Sequence, residues 1–233
     1  MPEPTTPDTR LPSLPKAGSA VELAPGIRRL LAPNPGLMTG PGTNTYLLGK
    51  KEIVVLDPGP AIDKHIGAIQ RAAGAPILWV LVTHTHADHS PAATLLARET
   101  GAALIGQPPP AGPNQDQTFS PQQVLKDQEY LKTSEFTLQA IHTPGHASNH
   151  LCYLHQELRW LFTGDHLMNG STVVINPPDG NMKHYLESLK RLKELNLEKI
   201  LPGHGEVITD PGQIIDWTIS HRHERETKII GAI

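Results

Sequence analysis

The chain has 233 residues, about the upper size for one domain on a single core, and 38% of them are hydrophobic, enough to fill one. A formal net charge of −3 excludes the basic excess of a dedicated nucleic-acid module, so no DNA partner is expected. One cysteine, Cys152, excludes an intrachain disulfide, and no apolar run approaches the roughly 20 residues of a membrane span.

Residues 1–20 hold five prolines and no apolar run. They read as a flexible arm, not a secretory leader, and the chain as cytoplasmic with no membrane partner. A single domain is expected over 21–233. Short branched runs bounded by glycine or proline predict strands at 26–32, 42–49 and 52–57. Ile62, Ile66 and Ile69 recur at helical spacing over 61–74, with Gly74 as the cap. The apolar run 76–82 reads as a buried strand. Ser90 then Pro91 reads as an N-cap followed by the first residue of a helix that runs to about residue 100. A strand at 103–106 and an exposed loop at 107–118 complete the first half. The second half shows strands at 136–143, 150–155 and 157–162. A helix follows over 181–196, with Met182, Leu186, Leu189 and Leu192 on one face. A short strand at 199–202 and a helix over 211–230 end it. This order is not a βαβα alternation; it suits two mixed sheets packed together with helices outside.

The chemistry concentrates in "LVTHTHADHS", where three histidines and an aspartate fall within six positions, His84 to His89. On extended chain, His84 and His86 point the same way. Asp88 and His89 are adjacent, so a turn must bring both to one site. Such a cluster beside a buried strand is costly unless something pairs with it. These side chains cannot by themselves fill the shells of two zinc-type ions, which need roughly three or four ligands each. His146 in "TPGHASNH", Asp165 in "FTGDHL" and His204 in "LPGHGE" also sit where a strand runs into a loop.

These residues resemble the metallo-β-lactamase superfamily over nearly all of 21–230. "THTHADH" is similar to its HxHxDH motif, and His146, Asp165 and His204 fall at its later motif positions in order. The resemblance implies an α+β fold, an αββα sandwich of two mixed sheets flanked by helices, with metals at one edge of the sheets. It implies two divalent ions, zinc first, with manganese or iron as alternatives. His84, His86 and His146 would take one ion, Asp88, His89 and His204 the other, and Asp165 would bridge them. Asp88 would also be catalytic, orienting a metal-bridging hydroxide and taking its proton. Asp57 in "VVLDPG" matches an aspartate that braces the histidine loop; a turn role before Pro58 is the alternative. "NPGLMTGPGTNTYLLG", "TPGHASNH", "PPDGNMKHYLESLKRL" and "HRHERETKI" further resemble the LACTB2-like hydrolases. Animal members of that group are endoribonucleases acting on single-stranded RNA.

The implied function is therefore a dinuclear metal-dependent hydrolase, with an RNA phosphodiester as substrate, or else a small-molecule ester, thioester or lactone. A mononuclear iron oxygenase of the persulfide-dioxygenase kind is a further alternative; Asp88, His89 and His204, which it does not need, argue against it. Asp165, with the only cysteine elsewhere, argues against lactam antibiotics. "SPAA" after the cluster departs from the two glycines usual in glyoxalase II. Cys152 in "LCYL" reads as a buried thiol. His166 and Tyr185 read as scaffold or pocket lining, and Asn44 as a turn residue or a donor to substrate. His142, His150, His155 and His184 have no evident partner. Arg222–Glu226 and Glu224–Lys228 read as pairs on a solvated helix face.

Overall fold

A computed structural model describes residues 13–231. Most of the arm expected over 1–20 lies outside them.

Strands β1 (Ala20–Ala24), β2 (Ile27–Leu31), β3 (Asn44–Leu48), β4 (Ile53–Leu56), β5 (Ile77–Leu81) and β6 (Ala103–Ile105) form one sheet in that order. The first four are antiparallel neighbours; β4, β5 and β6 run parallel. The second sheet has the order β11 (Lys199–Pro202), β10 (Trp160–Gly164), β9 (Leu151–His155), β8 (Thr137–His142), β7 (Tyr130–Lys132). Only β10 and β11 pair in parallel there. Both sheets are mixed, as expected.

Strand alternation builds the layers. Tyr46, Leu48, Val54, Leu56 and Leu81 point between the sheets, where they meet Leu138, Ala140, Leu151, Tyr153, Phe162 and Leu201. Their neighbours Leu47, Val55 and Val80 point outward, against Ile66 and Ile69 of α1 (Asp63–Ala73) and Leu96 of α2 (Pro91–Thr100). On the far side Cys152, Leu154 and Leu161 meet Tyr185, Leu189 and Leu192 of α3 (Met182–Lys193) and Ile215 of α4 (Pro211–Ile230). The central strands are apolar throughout because both their faces are covered. Each fully buried leucine or isoleucine contributes roughly 1.5–3 kcal/mol.

Several local expectations change. Gly74 does close α1 in the left-handed conformation, with φ 67°. Pro91 opens α2, but Ser90 does not cap it: its hydroxyl donates to Asp116 Oδ2 at 2.9 Å. Met182 is over a third exposed, and Tyr185 takes its place on the buried face of α3; Asn181 caps that helix by accepting from the His184 N–H. Residues 157–159 turn, with Arg159 at φ 55°, so the strand expected at 157–162 begins at Trp160. β1 and β7 were not visible as alternating runs. The 107–118 loop is only partly exposed. Gln115 is buried, and the Asp116 N–H donates to the Thr85 carbonyl at 2.6 Å, which folds the loop back onto the histidine segment.

Candidate metal centre

Direction of travel puts the site at one edge. β4 and β5 run parallel, as do β10 and β11, and β8 runs the same way as β10 because both are antiparallel to β9. The C-terminal ends of these strands therefore emerge together. Asp57 follows β4, His84–His89 follow β5, His146 follows β8, Asp165 follows β10 and His204 follows β11. Backbone bonds close the edge: the Gly203 N–H donates to the Gly164 carbonyl at 2.8 Å and the Leu151 N–H to the Thr83 carbonyl at 2.7 Å. At Gly203 the loops leave no room for a side chain. A Cβ there would stand 2.7 Å from His89 Cε1 and 2.9 Å from Asp165 Oδ1.

All seven sequence-predicted ligand residues come together, in two groups: His84, His86 and His146; and Asp88, His89, Asp165 and His204. In the first, His86 Nδ1 stands 3.0 Å from both His84 Nε2 and His146 Nε2. In the second, His89 Nε2 and His204 Nε2 are each 3.3 Å from Asp165 Oδ1, and Asp88 Oδ2 is 3.2 Å from His204 Nε2. Asp165 spans the two, because its Oδ2 lies 3.6 Å from His146 Nε2.

The outward nitrogens explain the inward ones. His146 Nδ1 donates to the Val174 carbonyl at 2.6 Å and His204 Nδ1 to the Gly42 carbonyl at 3.1 Å. His89 Nδ1 meets Asp57 Oδ2 at 3.0 Å. The Thr83 hydroxyl gives its proton to Asp57 Oδ2, so it can only accept from His84 Nδ1, at 3.0 Å. Each of these four rings thus spends its N–H outside the centre and leaves its other nitrogen, when neutral, as a lone pair aimed inward. His89 Nε2 and His204 Nε2 stand 3.3 Å apart, and two lone pairs that close repel unless a proton or a metal cation lies among them. The donor set of neutral imidazoles and carboxylates fits divalent metal ions.

Electrostatics agree. Burial drives His84 well below the ordinary histidine range and His86 down to about 4, helped by their neighbouring rings, so both rings are neutral near pH 7. Burial also works against charge on His89, but Asp88, Asp165 and Asp57 outweigh it and hold that ring well above its usual range. Burial likewise opposes ionised Asp165, yet His89 and His204 keep it well below the carboxylate range. The second group therefore holds positive charge between carboxylates, and a divalent ion would displace that proton.

A family model for the metallo-β-lactamase superfamily matches residues 38–204. The chain belongs to the metallo-β-lactamase superfamily. The "Beta-lactamase-like protein 2 homolog" of Caenorhabditis elegans is 32% identical over 228 residues, 94% of this chain and 75% of the relative. An atrochrysone carboxyl ACP thioesterase of a Cryptosporiopsis species is 28% identical over 97% of this chain and 68% of its own. A β-lactamase domain protein from Burkholderia ambifaria superposes with a TM-score of 0.78 at 22% identity, covering 97% of this chain and 78% of that one. This superfamily hydrolase has the expected αββα sandwich.

Around the centre, open alternatives resolve. Asp57 is a brace: Oδ1 accepts from the Thr83 N–H at 2.7 Å while Oδ2 takes the Thr83 hydroxyl and His89, and its backbone sits at φ 49°. Asn44 is neither a turn nor a cavity residue. Its side-chain amide donates to the carbonyls of Pro202 and Gly205, at 3.0 and 2.8 Å, and so holds the His204 loop. His166 and Tyr185 are buried scaffold, and Cys152 is a buried thiol whose pKa burial pushes up to about 12. His150, which had no evident partner, stacks on His84 at 5.0 Å, and its Nδ1 bonds the Thr143 hydroxyl at 2.9 Å. His155 stacks on Phe136 and pairs with Glu157 at 3.2 Å. Arg222 is not part of a solvated face: it donates to the Val173 carbonyl and lies 5.4 Å over the Tyr185 ring. Gln115 and Asp116 were missed because their contacts with the histidine segment cross a loop that carries no periodic signal. No helix among the described residues is long and apolar enough to cross a membrane.

Proposed function

We propose that this chain is a two-metal hydrolase of acyl compounds whose reacting end is uncharged: esters, thioesters or lactones. The carrying observation is the cavity over the two ligand groups. It measures about 690 Å³, and His86, Asp88, His146 and Asp165 all reach its lining. Leu37, Met38, Met168, Val173, Val174 and three prolines make much of the wall, and no lysine or arginine lines it among the described residues. Once Asp88 and Asp165 are ligands, the remaining carboxylate there is Asp179, which accepts from Gln115 Nε2 at 3.1 Å and from the Ser148 N–H at 3.2 Å. A polyanion finds no cationic side chain on such a wall. An apolar acyl group finds matching surface.

His84, His86 and His146 would hold one ion, and Asp88, His89 and His204 the other, with Asp165 between them; zinc suits the nitrogen-rich set. Two such ions supply a water-derived nucleophile near neutral pH and positive charge against the developing oxyanion. The chain's own part is positional. Leu37 and Met38 stand at the mouth, fully and 60% exposed respectively, where an apolar acyl group would cover them. Asp88 lines the cavity beside His204 and His89. Burial works to raise its pKa, but those two rings prevail and hold it below the ordinary carboxylate range. In this reading it takes the proton of the attacking water and returns it to the leaving alkoxide or thiolate. A carbon–oxygen bond forms as the acyl carbon–oxygen or carbon–sulfur bond breaks. The thioesterase named among the relatives supports the thioester member of this class.

The test is a turnover panel on zinc- and manganese-loaded protein: acyl thioesters, aryl esters, lactones and a single-stranded RNA oligonucleotide. The reading expects acyl substrates to be cleaved and RNA left intact. RNA cleavage with every acyl substrate untouched overturns it and restores the phosphodiester alternative.

A further inference from the structure

Behind the wall of the metal cavity lies a second cavity, of about 670 Å³, lined by Thr172–Ile175, Met182, Leu186, Arg222, Arg225 and Glu226. Thr172, Val173 and Val174 line both cavities, so one short segment separates them. We propose that this second cavity binds the phosphate-bearing arm of a carrier thioester whose acyl end lies over the metal centre. This rests on the acyl-hydrolase reading and names the other half of its substrate.

Charge sorts the two cavities. The metal cavity is lined by carboxylates and, among the described residues, by no lysine or arginine, whereas the second holds two arginines one helical turn apart on α4 and a single carboxylate. That carboxylate, Glu226, stands 3.8 Å from His223 Nδ1. Arg225 is exposed and has no acidic partner among the described residues. Arg222 is anchored by the Val173 carbonyl and the Tyr185 ring, yet its Nε is buried without an acceptor. The guanidinium groups of Arg222 and Arg225 on the cavity lining offer a phosphate charge-assisted N–H donors. The planar guanidinium fork matches phosphate better than an ammonium does. Met182, Leu186, Val174 and Ile175 give the rest of the cavity an apolar surface suited to an alkyl-amide linker.

The separating segment is tied to both sides. The Val173 carbonyl accepts from Arg222, and the next carbonyl, Val174, accepts from His146 Nδ1 at 2.6 Å. Two adjacent peptides thus fix the arginine site against a ligand of the metal centre. A substrate lying across Val173 and Val174 reaches both at a set spacing.

The experiment presents one acyl group on two thiols to the metal-loaded full chain: coenzyme A, which carries phosphates, and N-acetylcysteamine, which carries none. The proposal expects Arg225→Glu to lower the ratio of kcat/KM for the first over the second by about tenfold or more, mostly through KM, and Arg222→Lys to lower it less. Titration calorimetry with phosphopantetheine alone gives a readout independent of turnover, and its Kd should weaken by a similar factor in Arg225→Glu. An unchanged ratio together with unchanged phosphopantetheine affinity overturns the proposal. So does an Arg225→Glu variant that loses affinity for single-stranded RNA while the thioester ratio stays constant. If neither thioester is cleaved, the acyl-hydrolase reading has failed, and the phosphopantetheine titration still judges the arginine site separately.

Discussion

The two side-chain groups that could hold metal ions lie side by side but are electrically unlike. His84, His86 and His146 form a set of imidazoles, with burial pushing His84 and His86 toward neutrality. Asp88, His89, Asp165 and His204 form a set whose carboxylates outweigh burial and hold positive charge on the rings. The lesson is about dependence. The charge-rich group attracts a cation through its own residues, whereas the imidazole group has no carboxylate of its own and relies on neighbouring Asp165 and Asp88 to balance one.

Asp165→Ala is therefore the change expected to break both groups at once. Metal content by plasma emission should fall below one ion per chain, and kcat/KM should fall roughly a thousandfold or more, about 4 kcal/mol. Retention of two ions would show that the groups are independent. Asp88→Asn separates them instead: one ion stays with the imidazole group, the other weakens, and acyl turnover drops about a hundredfold. Asp57→Asn sharpens the contrast from outside. It touches His89 directly but His84 only through Thr83, so the second ion should weaken by roughly 10–100-fold and the first by less, read by competition with a chromophoric chelator.

The smallest effect concerns the far end of that brace. His65 Nε2 bonds the Thr45 hydroxyl, which donates to the Asp57 carbonyl. Burial lowers the His65 pKa from 6.5 to about 4. The unfolded chain takes up this proton below about pH 6.5, while the folded chain resists until about pH 4. The sign is thus a stability that is whole above pH 6.5 and lost as pH falls toward 4, by at most about 3 kcal/mol from this group. His65→Gln should flatten that slope in chelator-treated protein, measured by urea denaturation at pH 7 and pH 5.

Much of this was legible in one dimension. The ligands cluster in a six-residue turn and at three strand ends, and histidine and aspartate in such places have few cheap structural uses. Apolar strands and the 3.6-residue period of α1 and α3 were equally visible. Ser90 was misread because a serine before a proline looks like a cap wherever it occurs; here Asp116 takes the hydroxyl, and only folding brings Asp116 near. Met182 was placed on the buried face because spacing identifies a stripe but not which edge of it neighbours cover. Tyr185 is longer and finds its hydroxyl acceptor at the His166 carbonyl, 2.9 Å away.

The sequence by itself determined which atoms are available to hold cations, because ligand chemistry belongs to residue type and the strand-to-loop positions recur locally. Tertiary structure alone decided how those atoms are used. The parallel pairing of β4 with β5 and of β10 with β11, with β8 and β10 both antiparallel to β9, carries five strand ends to one edge, and hydrogen bonds across 28 to 162 residues fix which nitrogen of His89, His146 and His204 faces inward. It also decided that the arginines line one cavity and Asp88, Asp165 and Asp179 the other, on either side of Val173 and Val174, a division between residues far apart in the chain that no local pattern encodes.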